Sequence, residues 1–166
     1  HTRLLTVTGV QTCALPISLL IVFHTGGVKT AQMAEAVARG AAGETGVRVV
    51  VKRCAEAGPE DVLAADGLIL GTPENFGYMS GMMKDFLERV FYACEGKVNG
   101  RPWALFVGAG LDGAGAVSSV ERIVTGLRLE KRAEPVIGLK ELTPEVLARC
   151  EELGAAFAAG LALGVF

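Results

Sequence analysis

The chain alternates short apolar runs with longer segments of helical periodicity, and this alternation constrains its fold more than any other feature. Apolar, often β-branched runs occupy residues 19–23, 47–52, 67–71 and 103–107, and a weaker one occupies residues 134–137. Such runs are typical of strands in a parallel sheet that is buried on both faces. The last run contains Pro135 and is therefore predicted to lie at an edge of the sheet.

A helix is predicted after each of these runs. In residues 30–43, apolar and small residues recur at the i, i+3, i+4 spacing of a single helix face. Corresponding patterns and start signals predict helices from Pro59, over residues 79–94 and 116–127, and from Thr143 to about Leu163.

Strands that alternate with helices must be joined by crossover connections, which give a parallel sheet with helices on both faces. The 166 residues suffice for one such domain with a sizeable core. We therefore predict an α/β fold, a three-layer sandwich around a five-stranded parallel sheet. Ligands of such sheets bind outside the carboxyl ends of the strands, so the loops that follow the strands are the candidate functional sites.

Composition and charge exclude several classes of function. The 16 Lys and Arg residues and 18 Asp and Glu residues give a net charge of -2, which provides no basic surface for nucleic acid. The apolar stretch at residues 153–166 is shorter than the roughly 18 residues of a membrane span. Cys54, Cys94 and Cys150 have neither CxxC nor zinc-ligand spacing, so no metal site or disulfide framework is predicted. A reducing cytoplasm is the expected location.

Residues 1–17 are not expected to belong to the natural domain. Residues 7–17 match, codon for codon, the translation of a common sequencing-library adapter, and residues 1–3 match a second adapter segment. A fusion of adapter sequence to a truncated gene explains both matches, and such segments are excluded from reasoning about the fold. We therefore expect residues 1–17 to be a non-native leader and residues 18–166 to form the domain.

The loop after the first predicted strand indicates a phosphate group. It reads His24-Thr25-Gly26-Gly27-Val28-Lys29-Thr30 and leads directly into a helix. Glycines allow backbone N–H groups to approach an anion closely, and the helix N-terminus adds roughly half a positive charge. A helix that merely follows a glycine turn would produce the same pattern. Lys29 could pair with the phosphate, but we expect a solvated surface lysine.

The loop after the third predicted strand is more specific. It reads Gly71-Thr72-Pro73-Glu74-Asn75-Phe76-Gly77-Tyr78-Met79-Ser80-Gly81 and continues into the helical segment Lys84-Asp85-Phe86-Leu87-Glu88-Arg89. These residues resemble the corresponding loop and helix of the flavodoxin-like superfamily, in particular its NAD(P)H-dependent FMN and quinone reductase branch. The resemblance extends from about Leu19 to Phe166 and includes the glycine-rich loop at residues 108–115.

The resemblance implies a flavodoxin-like fold with FMN as the cofactor. It implies that the first loop binds the FMN phosphate through Thr25, Gly26, Gly27 and Thr30. It also implies that the second and third loops flank the isoalloxazine ring through Pro73, Glu74, Asn75, Phe76, Gly77, Tyr78, Ala109, Gly110 and Gly113. The alternative for Phe76 is a buried position beneath the loop, and the alternative for Tyr78 is a surface turn. Because the flavin itself transfers hydride and electrons, no catalytic side chain is expected.

Three functions remain open at this point. The resemblance favours an FMN-dependent NAD(P)H oxidoreductase that reduces a quinone, flavin or similar small acceptor with NADPH or NADH, and it implies a homodimer. The alternative is a flavodoxin-type one-electron carrier that docks to redox protein partners. Such carriers are usually strongly acidic, whereas the net charge of -2 is mild. The third is a regulatory or structural module that binds no flavin.

Overall fold

The computed structural model describes residues 15–166. Residues 1–14 of the predicted leader lie outside this described part of the chain, so the non-native leader stays a prediction. Ile17, the last residue of that predicted leader, is the first residue of strand β1 and pairs with Val47.

Seven strands and five helices follow one another along the described residues. The strands are β1 (Ile17–Phe23), β2 (Val47–Arg53), β3 (Gly67–Asn75), β4 (Tyr78–Met79), β5 (Pro102–Ala109), β6 (Glu130–Lys131) and β7 (Val136–Leu139). The helices are α1 (Lys29–Ala42), α2 (Pro59–Ala64), α3 (Gly81–Cys94), α4 (Ala114–Gly126) and α5 (Pro144–Leu163). All five predicted strands and all five predicted helices are therefore present.

The strands form one sheet in the order β2-β1-β3-β5, and both β6 and β7 pair with β5 at the next position. β6 pairs with the start of β5, whereas β7 pairs with its end. Pro135, which has no N–H to donate to a neighbouring strand, lies in the gap between them. These pairs are parallel, and only β4 runs antiparallel, against the end of β3. The predicted five-stranded parallel sandwich is confirmed, with its fifth position divided between two short strands.

Two predicted boundaries are wrong near the second loop. β3 continues past residue 71 to Asn75, because it pairs with β5 as far as Pro73 and then with β4. Helix α3 begins at Gly81 rather than at residue 79, because Ser80 caps it by accepting a hydrogen bond from the Met83 N–H at 3.2 Å. The segment predicted as a loop is therefore largely a β-hairpin.

Buried side chains form two clusters, one on each face of the sheet. Successive residues of β1 alternate between them: Leu19 and Ile21 pack with α1 and α5, whereas Leu20 and Val22 pack with α2, α3 and α4. This is the period of two that a strand imposes when both of its faces are covered. Within the described chain, none of the helices has the length and apolarity that crossing a bilayer requires.

Helices α1 and α5 approach each other closely through glycines. A Cβ atom on Gly154 would lie 1.9 Å from the backbone oxygen of Val37, and one on Gly40 would lie 1.9 Å from that of Glu151. Backbone atoms cannot move aside as the end of a flexible side chain can. The two glycines therefore set the distance between the helices and the position of α1, whose N-terminus follows the first loop.

We expect Gly154→Ala to lower the free energy of unfolding by about 1–3 kcal/mol, because the added methyl group forces α1 and α5 apart. This strain exceeds the roughly 1 kcal/mol that Ala gains over Gly inside a helix. Urea denaturation measures the difference. Gly81→Ala is the control, since a Cβ there meets no atom within 4 Å, and it should be neutral or stabilising. Equal effects of the two substitutions would contradict the account of close packing.

Candidate functional site

Three loops meet at the edge of the sheet where β1, β3 and β5 end. Together they enclose an open cleft of about 420 Å³. The cleft is lined by Thr25, Gly26, Gly27, Val28, Lys29 and Thr30 of the first loop, by Pro73 and Asn75 of β3, and by Gly108 of β5. It lies where the strand order reverses between β1 and β3, which is the usual position of ligands in open α/β sheets.

The first loop leads into backbone N–H groups of α1 that no side chain caps. Val28 is the N-cap residue of α1, but its side chain makes no capping hydrogen bond, and the first turn of α1 contains no acidic residue. A helix N-terminus of this kind leaves N–H groups without intrahelical partners and carries a partial positive charge. Gly26 and Gly27 are exposed, and a Cβ on either would meet no atom within 4 Å. The arrangement is suited to binding an anion.

Lys29 connects the first loop to the third, which contradicts the expectation of a solvated surface lysine. Its Nζ donates a hydrogen bond to the carbonyl oxygen of Ala109 at 2.9 Å. Its stem lies against Gly108, where a Cβ would come within 3.1 Å of Lys29 Cδ. Burial lowers the pKa of the Lys29 ammonium from its ordinary value.

A hairpin formed by β3 and β4 carries the second loop. The two residues at its turn, Phe76 and Gly77, have positive φ angles of 54° and 68°. The Phe76 side chain is fully exposed, so its alternative position beneath the loop is excluded. Gly115 of α4 lies directly against this turn, because a Cβ there would be 1.7 Å from the carbonyl oxygen of Gly77.

Buried hydroxyl groups fix the hairpin to the two helices beside it. Thr72 Oγ1 accepts a hydrogen bond from the Ser80 N–H at 3.0 Å, and Ser119 Oγ accepts one from the Met79 N–H at 3.0 Å. Ser119 in turn donates to the carbonyl of Ala116 at 3.0 Å. The Thr72 and Ser119 hydroxyl groups thus each accept a hydrogen bond from a backbone N–H of the hairpin. Both bonds are buried, where an unpaired polar group would be costly.

Glu74 connects the hairpin to the third loop on the side away from the cleft. Its Oε1 accepts a hydrogen bond from the Leu111 N–H at 3.2 Å, whereas its Oε2 is buried without a hydrogen-bond partner. Glu74 is absent from the lining of the cleft, while its neighbours Pro73 and Asn75 line it. This follows from the alternation of side chains along a strand.

The third loop combines buried and open residues. Ala109 is fully buried, and its carbonyl accepts hydrogen bonds from both Lys29 Nζ and the Lys140 N–H. Gly113 is the N-cap residue of α4, with a φ of 78°, and a Cβ there would lie 2.9 Å from Ile137 Cγ2. Gly110 is exposed, and a Cβ there would meet nothing within 4 Å.

The structure thus gathers only some of the predicted site residues in the cleft. Those that line it are Thr25, Gly26, Gly27, Thr30, Pro73 and Asn75, with Phe76, Gly77 and Tyr78 on the adjoining hairpin. Sequence reasoning missed Val28 and Gly108 as lining residues and undervalued Lys29. One signal for Lys29 was available, because a basic residue at a helix N-terminus is electrostatically unfavourable unless an anion binds there.

Burial keeps several titratable groups of this chain in their neutral forms. Burial, together with the positive charge of Arg53, lowers the pKa of His24, so its imidazole is neutral at pH 7. Burial raises the pKa of Cys54 to about 12 and that of Cys150 to about 11, which keeps both thiols protonated. Among residues 15–166, no three His, Cys, Asp or Glu side chains are grouped so that they could hold a metal ion.

We expect Thr72→Val to lower the free energy of unfolding by about 1–3 kcal/mol, because it leaves the buried Ser80 N–H without its acceptor. Thr125→Val makes the same chemical change at an exposed position of α4 and should stay within about 0.5 kcal/mol of the wild type. Chemical denaturation of both variants measures the difference. An effect of Thr72→Val no larger than that of its control would show that the hydroxyl network does not hold the hairpin.

Comparison with known proteins identifies the family. The family profile described as NADPH-dependent FMN reductase matches residues 44–130, which is more than half of the chain. The chain therefore belongs to the NADPH-dependent FMN reductase family.

Two curated relatives are similar to parts of the chain. A flavodoxin of Aquifex aeolicus (strain VF5) is 38% identical over 109 residues, which cover 66% of this chain and 59% of that protein. An NAD(P)H dehydrogenase (quinone) of Acidithiobacillus ferrooxidans (strain ATCC 53993 / BNL-5-31) is 34% identical and covers 54% of this chain and 55% of that protein. The chain thus spans little more than half of the length of either relative.

Solved structures confirm the flavodoxin-like fold. A flavodoxin from the domain Archaea superposes with a TM-score of 0.78 at 19% identity, covering 87% of this chain and 99% of that one. A flavodoxin, WrbA-like protein from Agrobacterium tumefaciens superposes with a TM-score of 0.74 at 20% identity, covering 89% of this chain and 98% of that one.

Proposed function

We propose that this protein is an FMN-dependent NAD(P)H oxidoreductase that reduces a quinone, a flavin or a similar small acceptor. Membership of the NADPH-dependent FMN reductase family supports both FMN and a nicotinamide nucleotide as reductant. Similarity to a protein described as an NAD(P)H dehydrogenase (quinone) supports a quinone as acceptor.

The cleft and the adjoining hairpin offer donors for the two polar ends of FMN. The uncapped N-terminus of α1 and the open backbone of Gly26 and Gly27 provide donors for the phosphate group. The peptide groups of Phe76 and Gly77 lie beyond the last pair of the hairpin ladder, which joins Asn75 to Tyr78. Their N–H groups would bind the polar edge of a flat ring, whereas the Gly77 carbonyl oxygen lies against Gly115 of α4.

FMN, when bound, would supply hydride and electron transfer, so the residues of this chain have only to bind and orient it. The first loop would hold the phosphate through its N–H groups, and Pro73 and Asn75 would line the wall beside the ring. The hydroxyl groups of Thr72 and Ser119 would keep the hairpin in a fixed position relative to α3 and α4.

An apolar rim at the edge of the sheet that carries the cleft is the observation that favours a small apolar acceptor. We define the rim as five exposed large side chains from the loops and strand ends at this edge of the sheet: Val28, Phe76, Tyr78, Leu111 and Leu139. Exposed apolar side chains are ordinary when scattered singly, but five at the one edge of the sheet that carries the cleft favour a binding surface there. Asp112, which follows Leu111, accepts a hydrogen bond from the N–H of Ala114 in its own loop.

A one-electron carrier is the second candidate function, and the similarity to the Aquifex aeolicus flavodoxin supports it. Carriers use strongly charged surfaces to steer association with their protein partners. The apolar rim and the mild net charge of -2 therefore favour the reductase.

The two candidates are separated by anaerobic reduction of the protein reconstituted with FMN. We expect NADPH or NADH alone to bleach the visible absorbance of the bound flavin within seconds, and a quinone such as menadione to restore it. If neither nucleotide bleaches the flavin while a separate reductase protein does, the carrier is the correct function. If the protein takes up no FMN, both flavin functions are wrong and a module without cofactor remains.

Gly27→Val tests the location of the phosphate in the same preparation. A Cβ at this position meets no protein atom within 4 Å, so the protein should keep its stability. The side chain should nevertheless weaken FMN binding, because it hinders the close approach of the backbone to the phosphate. Gly58→Val is the control, because Gly58 also has open space at its Cβ but lies at the start of α2, away from the cleft. If Gly27→Val leaves the affinity for FMN unchanged, the phosphate does not bind at this loop.

Phe76 provides a test of the acceptor site. Phe76→Asn should leave stability unchanged or raise it by up to about 1 kcal/mol, because Asn adopts a positive φ more readily than Phe. It should raise the KM for menadione by about 2- to 12-fold, the equivalent of one lost aromatic contact. Tyr92→Asn removes an exposed aromatic side chain on α3 and should leave the KM unchanged. Equal KM values for Phe76→Asn and the wild type would contradict the role of the rim.

A further inference from the structure

Lys29 carries a partly buried positive charge that no acidic side chain compensates. Its ammonium donates to an uncharged acceptor, the Ala109 carbonyl, at 2.9 Å. None of the ion pairs within residues 15–166 includes it. The first turn of α1 also lacks any acidic residue that could face the charge.

The position of Lys29 is unfavourable in a protein without a bound anion. As the first residue of α1 it places a cation at the positive end of the helix dipole. Burial disfavours the same charge, as the lowered pKa of the ammonium shows. A bound anion between the ammonium and the helix N-terminus would make both features favourable.

The stem of Lys29 directs the ammonium to the wall of the cleft. The stem passes over Gly108, where a Cβ would lie 3.1 Å from Lys29 Cδ and 2.8 Å from Thr30 Oγ1. Lys29 and Gly108 both line the cleft, together with the exposed backbone of Gly26 and Gly27. One of the three N–H bonds of the ammonium is used by Ala109, which leaves two for a ligand.

We propose that Lys29 is a phosphate-binding residue, whose ammonium contacts the phosphate monoester of FMN at the first loop. This inference rests on the proposed function, since it takes FMN as the ligand. The other side chains of the first loop that line the cleft, Thr25, Val28 and Thr30, are uncharged. Among the first-loop residues that line the cleft, Lys29 is therefore the one with a charged side chain.

The alternative role for Lys29 is a purely structural link between the first and third loops. A structural link would affect every ligand of the cleft alike, whereas a phosphate contact affects only ligands that carry the phosphate. Riboflavin has the same ring and ribityl chain as FMN but lacks the phosphate group. The two ligands therefore distinguish the two roles.

The test is a fluorescence titration of the full chain with FMN and with riboflavin. Lys29→Met keeps the length of the stem over Gly108 and removes the charge. We expect it to weaken FMN binding at least about tenfold and to change riboflavin binding less than about twofold, since a hydrogen bond to a charged group is lost. Lys29→Arg keeps the charge and should retain FMN binding within about threefold.

Lys97→Met is the matched control. It removes one positive charge from an exposed position between α3 and the start of β5, at the opposite edge of the sheet. It should leave the affinities for FMN and riboflavin unchanged. Melting temperatures of all variants, measured without ligand, show whether each remains folded.

Three results would overturn the proposal. Equal weakening of FMN and riboflavin by Lys29→Met would show that Lys29 is only a structural link. Unchanged FMN binding in Lys29→Met would show that the ammonium makes no contact with the phosphate. Failure of the wild type to bind FMN would overturn the proposed function as well, and this outcome is distinct from the other two.

Discussion

Helices cover both faces of the parallel sheet, and the location of the site depends on this arrangement. Each strand must be connected through a helix to the next parallel strand, so the carboxyl ends of β1, β3 and β5 lie side by side at one edge. The order of strands reverses between β1 and β3, which opens a cleft between the loops that follow them. Close contacts between glycines and backbone, at Gly154 and Gly115, then fix α1 and α4 relative to this edge.

Polar groups and apolar side chains occupy different parts of the sheet edge that carries the cleft. Backbone donors, the Lys29 ammonium and the N-terminus of α1 are concentrated in the first loop, where an anionic group can be held. Phe76, Tyr78 and Leu111 instead expose apolar side chains on the hairpin and the third loop. Buried hydrogen bonds that Thr72 and Ser119 accept from backbone N–H groups keep the hairpin in place, and neither hydroxyl group lines the cleft. Under the proposed function, the first loop would hold the phosphate of FMN, and the exposed apolar side chains would contact the acceptor.

Local patterns predicted the sheet well, because buried parallel strands are continuous apolar runs and the helices between them have clear periodicity. They did not predict the hairpin, since the turn at Phe76 and Gly77 lacks the Asn-Gly or Asp-Gly signal that marks two residues with positive φ. Pro73 also suggested a loop, although its place at the end of β3 tolerates the missing N–H. The contact between Lys29 and Ala109 joins residues far apart in sequence, and propensity and periodicity contain no information about such a pair.

FMN is proposed to bind in this cleft with its phosphate at the first loop. Amide chemical-shift mapping of the isotope-labelled protein during titration with FMN tests it directly. We expect the largest shifts on residues 25–30, 74–78 and 108–113. Riboflavin, which lacks the phosphate, should perturb residues 74–78 and leave the shifts of residues 25–30 small. Shifts confined to another surface, such as the groove between α3 and α4 lined by Phe91 and Ile123, would contradict the account.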